Sequence, residues 1–173
     1  MTTSDTARED ARPVTVESFR RAVGRFATGV CVVTAVDGGI DHAMTANAFT
    51  SVSLDPLLVL VCVETDARFH DAIMAAGAWG VSILDASARP VADWLATRGR
   101  PLHGQLDRIP LHRGVTGAAL LDQSTSWLEC RTQAVYPGGD HVIVVGEVVA
   151  VGLGNESAGA LLYHRSAYGT LGR

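Results

Sequence analysis

The chain has 173 residues, of which 47% are hydrophobic and 18% are charged, with a formal net charge of −4. This length suits one domain with a sizeable core, and the apolar surplus indicates that a partner, most simply a second copy, covers part of the surface. All basic residues are Arg, in no continuous stripe, so the mildly acidic balance argues against nucleic acid or an anionic membrane as a partner.

The cysteines and the N-terminus bear on the cellular compartment. Cys31, Cys62 and Cys130 lie far apart inside apolar runs, which predicts buried thiols in a reducing compartment rather than disulfides or a zinc site. The N-terminus is polar, and no apolar run reaches the roughly 18 residues of a membrane span. The expected location is therefore the cytoplasm.

The chain begins with a polar segment and an amphipathic pattern. Residues 1–12 predict a disordered tail ahead of one domain over residues 13–173. Pro13 and Thr15 open a predicted helix that Gly29 would end. The apolar residues of this pattern recur at spacings of three and four: Val16, Phe19, Ala22, Val23 and Phe26.

Strands dominate the rest of the chain, and they follow one another at both ends. This order favours a mainly β fold, an antiparallel barrel with peripheral helices. In the first half of the chain the predicted elements are a strand over 30–36, a turn at 37–39 into a short strand ending near Met44, and a strand over 57–63. A helix from Thr65 or Asp66 to Ala76, a strand over 79–84 and a helix over 87–98 follow. After a loop over 99–116 come strands over 127–136 and 141–151 and a last apolar stretch over 160–164.

Several common functional motifs are missing from the sequence. It contains no GxxxxGK[ST] and no GxSxG, and the GLG at 152–154 lacks the third glycine of a dinucleotide-binding turn. The six His are scattered, and His103 and His112 fit solvated loop positions better than a metal site. We therefore expect no metal, no P-loop and no hydrolase triad.

Three stretches remain as candidate sites, each with two interpretations. The uncharged polar residues 44–51 could bind a flat ring with polar edges, or could satisfy local backbone groups. His141 follows the glycines of GGDH and either lines a pocket or makes a structural hydrogen bond. LYHRSAYG, residues 162–169, holds tyrosines and an arginine suited to a ring and a phosphate, or is an ordinary chain end.

Taken in order, these pieces resemble a known family. FRRAVGRFATGVCVVTA, MTANAFTSVSLDPLLVLVCV, GVSIL, WLEC, GGDHVIVVGEV and LLYHRSAYG occur along residues 15–172. The chain resembles the short-chain flavin reductases, the reductase partners of two-component flavin-dependent monooxygenases. The resemblance implies an FMN-binding split β-barrel that forms a homodimer, binds FMN or FAD and uses NADH as hydride donor, with NADPH left open.

The resemblance also implies roles for particular residues. Along the isoalloxazine ring it places Met44, Thr45, Ala46, Asn47 and Ala48, and near the ribityl chain Thr50 and Ser51. Near the flavin phosphate it places Thr65, Asp66, Ala67, Arg68 and Arg98. At the nicotinamide it places His141, Tyr163, Arg165 and Tyr168. His141 is in addition the residue expected at the reactive face of the flavin.

The sequence departs from the family pattern at two places. Leu57 replaces the second proline of the usual DPPL. DWLATRG stands where relatives often have an Arg-Phe or Asn-Phe pair, and this second departure leaves open whether the protein prefers FAD or FMN. The implied activity is reduction of free flavin by NAD(P)H, with a separate monooxygenase receiving the reduced flavin. Two alternatives are a bound-flavin or deazaflavin enzyme acting on an organic substrate, and a non-catalytic flavin- or haem-binding module.

Overall fold

The computed structural model describes residues 13–171 as an antiparallel β protein with peripheral helices. The predicted tail over residues 1–12 lies outside the described residues. The helices are α1 (Val16–Val23), α2 (Arg68–Ala76) and α3 (Arg89–Ala96). The strands are β1 (Thr28–Gly29), β2 (Cys31–Asp37), β3 (Ile40–Ala46), β4 (Phe49–Leu54), β5 (Leu57–Glu64), β6 (Ala78–Leu84), β7 (Leu111–Arg113), β8 (Ala119–Leu121), β9 (Ser124–Gly138), β10 (His141–Leu153), β11 (Leu161–His164) and β12 (Ala167–Thr170).

The main sheet has seven antiparallel strands in the order β3-β2-β6-β9-β10-β5-β4. The prediction of a mainly antiparallel β fold is confirmed, but the sheet is not closed into the expected barrel. Over residues 13–171, β3 and β4 are its two edges and do not pair with each other. The chain crosses between them at Asn47 and Ala48. There the Ala48 carbonyl accepts a hydrogen bond from the Cys62 amide in β5 (3.0 Å), so the chain pairs with β5 and not with β3.

The core consists of two clusters on opposite faces of the sheet, because alternate residues of β2, such as Val33 and Val32, are buried in different clusters. In β5 the side chains alternate, so that Val59, Val61 and Val63 are buried and their neighbours are partly exposed. They pack with residues of the central strands, including Val33 and Trp79. This β-branched, period-two pattern is the reason the run forms a strand. No helix within residues 13–171 is long and apolar enough to cross a membrane.

Helix α1 starts where the sequence predicts and ends earlier. Thr15 caps it through a reciprocal capping box with Ser18, and Gly24 ends it, so Gly29 is not the stop and Phe26 lies beyond the helix. The apolar face of this helix is not buried by the described residues: Phe19 is 58% exposed, and none of the helix residues is buried. Helix α1 therefore presents an uncovered apolar face.

Helix α2 ends where the sequence predicts, but it begins later than predicted. Gly77 ends α2 with a left-handed φ of 63°, as predicted. Its N-cap is Ala67, not Thr65 or Asp66. The reason is that the Thr65 amide and hydroxyl both donate to the Asp140 carbonyl (3.0 and 3.1 Å), which ties Thr65 to the β9–β10 turn.

Helix α3 begins at Arg89 with Pro90 in its first turn, as predicted, and ends at Ala96 instead of residue 98. Strand β7 lies in the segment 99–116, which the sequence predicts to be a loop, and it pairs with β8. The turn at 37–39 is confirmed as a hairpin between β2 and β3, with Gly38 and Gly39 at positive φ values of 56° and 80°.

A buried carboxylate fastens the loop before β8 to the sheet. Glu129 in β9 is fully buried and accepts hydrogen bonds from the amides of Val115 (2.8 Å) and Thr116 (2.7 Å) and from the Thr116 hydroxyl. A Cβ on Gly114 would lie 2.1 Å from a Glu129 carboxylate oxygen, so this position has no room for a side chain. The WLEC motif thus serves packing in this fold.

Candidate functional site

The larger of two adjoining cavities opens between the end of β3, the start of α2 and the end of α3. It measures about 430 Å³ and combines apolar walls with charged groups. Three arginines and two carboxylates line it, so the lining carries a small excess of positive charge. The lining is formed by Met44, Thr45, Glu64, Asp66, Ala67, Arg68, Phe69, Leu95, Ala96, Arg98, Gly99 and Arg100.

The start of α2 supplies backbone donors to this cavity. Its N-cap residue, Ala67, has no side chain that could accept a hydrogen bond from the first turn. Among the described residues, the first amide of this turn with a backbone acceptor is that of His70. Free amides at a helix start attract anions, because they point outward and the helix dipole adds to their charge. The cavity therefore has the donor set that a phosphate requires.

The three arginines of the cavity are bound differently. Arg98, whose side chain is 84% exposed, donates through Nη2 to both carboxylate oxygens of Glu64 (2.7 and 3.0 Å). Arg68 donates to the backbone carbonyl of Arg100 (2.6 Å). Arg100 turns inward and donates to the carbonyls of Ala43 and Thr97. Burial, and then the charge of Arg68, lowers the pKa of Arg100 from its usual value.

The segment Met44–Ala48 lies at an exposed edge of the sheet. Its polar side chains already have partners, because Thr45 donates to the Ala92 carbonyl of α3 (2.8 Å) and Asn47 donates to the Thr28 hydroxyl (3.3 Å). The Ala46 carbonyl accepts from Cys31. An edge strand keeps unpaired backbone groups on its outer side. A ring with polar edges would therefore meet mainly backbone groups here.

A second cavity of about 180 Å³ shares Thr45 and Ala96 with the first. Its aromatic wall consists of Tyr163 and Tyr168, opposite each other on β11 and β12 with ring centroids 5.3 Å apart in an edge-to-face arrangement. The guanidinium of Arg89 lies over the Tyr168 ring at 5.8 Å. Burial, followed by the nearby Asp93 charge, raises the pKa of the Tyr168 hydroxyl.

Part of the predicted site lies outside both cavity linings. Thr50 and Ser51 are exposed on β4, and the Thr50 hydroxyl donates to the Ser51 carbonyl (3.3 Å). Ala48 and Thr65 are engaged with β5 and with the β9–β10 turn, as described above. Their predicted roles stay predictions. In contrast, the cavities bring together Met44, Thr45, Ala46, Asn47, Asp66, Ala67, Arg68, Arg98, Tyr163 and Tyr168.

His141 starts β10 next to the larger cavity. It lies directly opposite Glu64, a lining residue, in the β10–β5 ladder. Its Nδ1 is 2.7 Å from the Asp140 carboxylate. The hydrogen bond to His141 lowers the pKa of Asp140, which keeps the carboxylate ionised as an acceptor. Nδ1 is thus the donor, and Nε2 is the ring nitrogen left for a ligand.

Arg165 is separated from Tyr163 and Tyr168. It occupies the tip of the β11–β12 hairpin at a positive φ of 51° and lines a third cavity, a cleft beside α1. The lining of the larger cavity also includes Glu64, Phe69 and Arg100, which were not predicted from the sequence. The end of the apolar run at Glu64 was a usable signal, whereas the inward turn of Arg100 depends on a carbonyl far away in the chain. A group of three or more His, Cys, Asp or Glu placed to hold a metal ion is absent from the described part of the chain.

These features define a β protein with free amides at a helix start, a free strand edge and an adjoining aromatic cavity, which together fit a flat, phosphate-bearing ligand beside a second ring. The family described as flavin reductase like domain matches residues 23–172. The chain belongs to this family of flavin reductase-like proteins.

Individual relatives agree with this assignment. The chain is 39% identical over 155 residues to an NADH-dependent FMN reductase, AsuE2, of Streptomyces nodosus subsp. asukaensis, covering 88% of this chain and 83% of the relative. It is 42% identical over 152 residues to the reductase component of 4-hydroxyphenylacetate 3-monooxygenase of Thermus thermophilus, covering 88% and 94%. Among solved structures, BorF, the flavin reductase component of a bacterial two-component tryptophan halogenase, superposes with a TM-score of 0.86 at 43% identity, covering 92% of this chain and 99% of BorF.

Proposed function

We propose that this protein reduces FMN or FAD with NADH and supplies the reduced flavin to a separate monooxygenase. Similar proteins are NADH-dependent flavin reductases and reductase components of two-component systems. One observation on this chain supports the proposal most directly: the two cavities share Thr45 and Ala96. Hydride transfer requires two rings in contact, and contiguous cavities provide for that.

The larger cavity fits a flavin in its chemistry. We assign the free amides of Arg68 and Phe69 at the start of α2, with the Arg98 guanidinium, to the flavin phosphate. The outer edge of β3 at Met44 and Thr45 would meet the polar edge of the ring, while the Phe69 side chain supplies apolar contact. Thr50 and Ser51 remain candidates for the ribityl chain.

A bound flavin supplies the chemistry by accepting a hydride from the nicotinamide. The chain needs no general acid or base for this reaction; its part is to orient the two rings and exclude water. Tyr163 and Tyr168 form the wall against which the nicotinamide would lie. The Asp140 carboxylate holds the His141 ring in one orientation, with Nε2 free to contact the nicotinamide nucleotide.

The Glu64–Arg98 ion pair bears on whether flavin is retained. Arg98 is bound to Glu64, so a phosphate must compete with that carboxylate. An internal competitor lowers the affinity for flavin. Moderate affinity suits a protein for which flavin is a substrate that leaves after reduction.

Steady-state kinetics that cross NADH and NADPH with FAD, FMN and riboflavin tests the proposal. We expect rapid oxidation of NADH that depends on added flavin and saturates with both. Tight binding of flavin without oxidation of either nucleotide would contradict it and favour a binding module. Bound flavin that is reduced only when an organic substrate is present would favour the bound-flavin alternative.

The proposal includes a homodimer. On β10, Val149, Val151 and Leu153 alternate outward and are 41%, 65% and 74% exposed, and the apolar face of α1 is uncovered as well. Exposed apolar stripes of this kind commonly mark interfaces. Light scattering after size-exclusion chromatography should give twice the 18.2 kDa chain mass, and Val151→Glu should shift the protein towards monomer. A wild-type protein that is monomeric at micromolar concentration would contradict this part of the proposal.

A further inference from the structure

Four arginines meet in the cleft beside α1, which has a volume of about 310 Å³. Arg20, Arg21 and Arg25 come from the end of α1 and the segment after it, and Arg165 comes from the β11–β12 hairpin. Arg21, Arg25 and Arg165 have no hydrogen-bonded or ion-paired side-chain partner within residues 13–171. Arg20 lies close enough to Asp140 for its charge to lower that carboxyl pKa.

The backbone brings these arginines together. The Arg165 amide donates to the Gly24 carbonyl (2.8 Å), which fastens the hairpin tip to the end of α1. A Cβ on Gly24 would come within 2.9 Å of the Arg20 carbonyl, so a glycine suits this close approach. Arg165 and Ser166 both adopt positive φ, 51° and 64°.

This hairpin turn is unusual in its residues. Two successive positive φ angles are adopted most readily by Asn-Gly or Gly-Gly, and each other residue costs about 1 kcal/mol or more. The chain nevertheless has Arg-Ser at these positions. In a protein of net charge −4, a cleft of four arginines held in this way repels cations and attracts an anion with several charges.

The same hairpin connects the cleft to the second cavity. Tyr163 precedes Arg165 by two residues, which corresponds to about 7 Å along an extended strand. Thr28, three residues after Arg25, pairs with Tyr163 between β1 and β11. A nicotinamide ring against Tyr163 would therefore carry its ribose along the hairpin and its phosphates towards the arginines.

We propose that this cleft binds the pyrophosphate of the nicotinamide dinucleotide. This inference rests on the proposed function, and it assigns the donor's phosphates to a place separate from the flavin phosphate at α2. Guanidinium groups suit the task, since their planar donors pair with phosphate oxygens. The cleft only binds the pyrophosphate, so no electron or proton is transferred there.

The test compares the double variant Arg21→Gln/Arg165→Gln with wild type on three hydride donors. NADH and NADPH carry phosphates, whereas 1-benzyl-1,4-dihydronicotinamide carries none. We expect the KM for NADH to rise about tenfold with kcat and the KM for FMN unchanged, as loss of charge-assisted bonds at an open cleft predicts. The rate with the benzyl donor should not change. Arg131→Gln, an exposed arginine on β9, is the matched control and should leave all constants unchanged.

Titration calorimetry with inorganic pyrophosphate gives a readout independent of turnover. Wild type should bind it, and the double variant should not. An unchanged KM for NADH overturns the proposal, and so does an equal loss with the benzyl donor, because that loss would report altered structure. An effect confined to NADPH would also overturn it and assign the cleft to the 2′-phosphate. Wild type that oxidises neither NADH nor the benzyl donor would refute the proposed function, while the pyrophosphate titration would still decide whether the cleft binds anions.

Discussion

The ion pair between Arg98 and Glu64 allows a prediction in both directions. Arg98→Gln should weaken FMN binding, because it removes a guanidinium at the rim of the larger cavity. A hydrogen bond to a charged group is worth about 1.5–3 kcal/mol. Arg98 must first leave Glu64, and an exposed pair costs about 0.2–1 kcal/mol to break. The net loss of about 0.5–2.8 kcal/mol corresponds to a roughly 2- to 100-fold higher Kd.

Glu64→Gln should have the opposite effect. It removes the carboxylate that occupies Arg98 at 2.7 and 3.0 Å and retains the shape of the side chain. Regaining the cost of the ion pair should tighten FMN binding by roughly 1.4- to 5-fold. Because both groups are partly solvated, both effects should shrink as salt concentration rises.

Anaerobic titration, followed by quenching of flavin fluorescence, measures these constants. Riboflavin is the control ligand, because it has the same ring and no phosphate, and its Kd should be equal for wild type and both variants. If Arg98→Gln weakened riboflavin as much as FMN, or if Glu64→Gln weakened FMN, the assignment of Arg98 to the phosphate would be refuted.

Three further outcomes are expected. His141→Ala should slow flavin reduction by NADH roughly 5- to 30-fold, since one positioning contact is worth about 1–2 kcal/mol, with a smaller change in flavin Kd; an unchanged stopped-flow reduction rate would refute the role of His141. Glu129→Gln should lower the free energy of unfolding in urea by about 1–3 kcal/mol, because an amide cannot accept all the bonds of that buried carboxylate, whereas Glu147→Gln on the exposed side of β10 should not. Burial raises the pKa of the Cys31 and Cys130 thiols to about 12, so both should react with a disulfide reagent at pH 8 only as fast as the protein unfolds; rapid reaction of either would contradict their burial.

Local signals predicted the parts of the fold that depend on local physics. The turn at Gly38 and Gly39 and the end of α2 at Gly77 require positive φ, which glycine adopts at little cost. The β-branched run of β5 likewise forms a strand for reasons within the run itself. Residues of this kind can be assigned before any tertiary contact is known.

Tertiary contacts decided the rest. Thr65 looked like a helix cap, but its hydroxyl bonds to Asp140, a residue 75 positions further along the chain. Arg100 could not be selected from its neighbours, because it is held by the carbonyl of Ala43, 57 positions away. Arg165 is two residues from Tyr163 in sequence, but it lies in a left-handed turn and lines the cleft beside α1, which its neighbours in sequence do not indicate.

The free edge of β3 has a consequence for solubility. An unpaired edge strand can add a strand from another molecule and so begin aggregation. In this chain α3 covers part of that edge through the Thr45 hydroxyl bond to Ala92, and Arg100 covers another part through the Ala43 carbonyl. A ligand lying along Met44 and Thr45 would cover the rest of the edge. Flavin added during purification should therefore slow aggregation and reduce light scattering on storage.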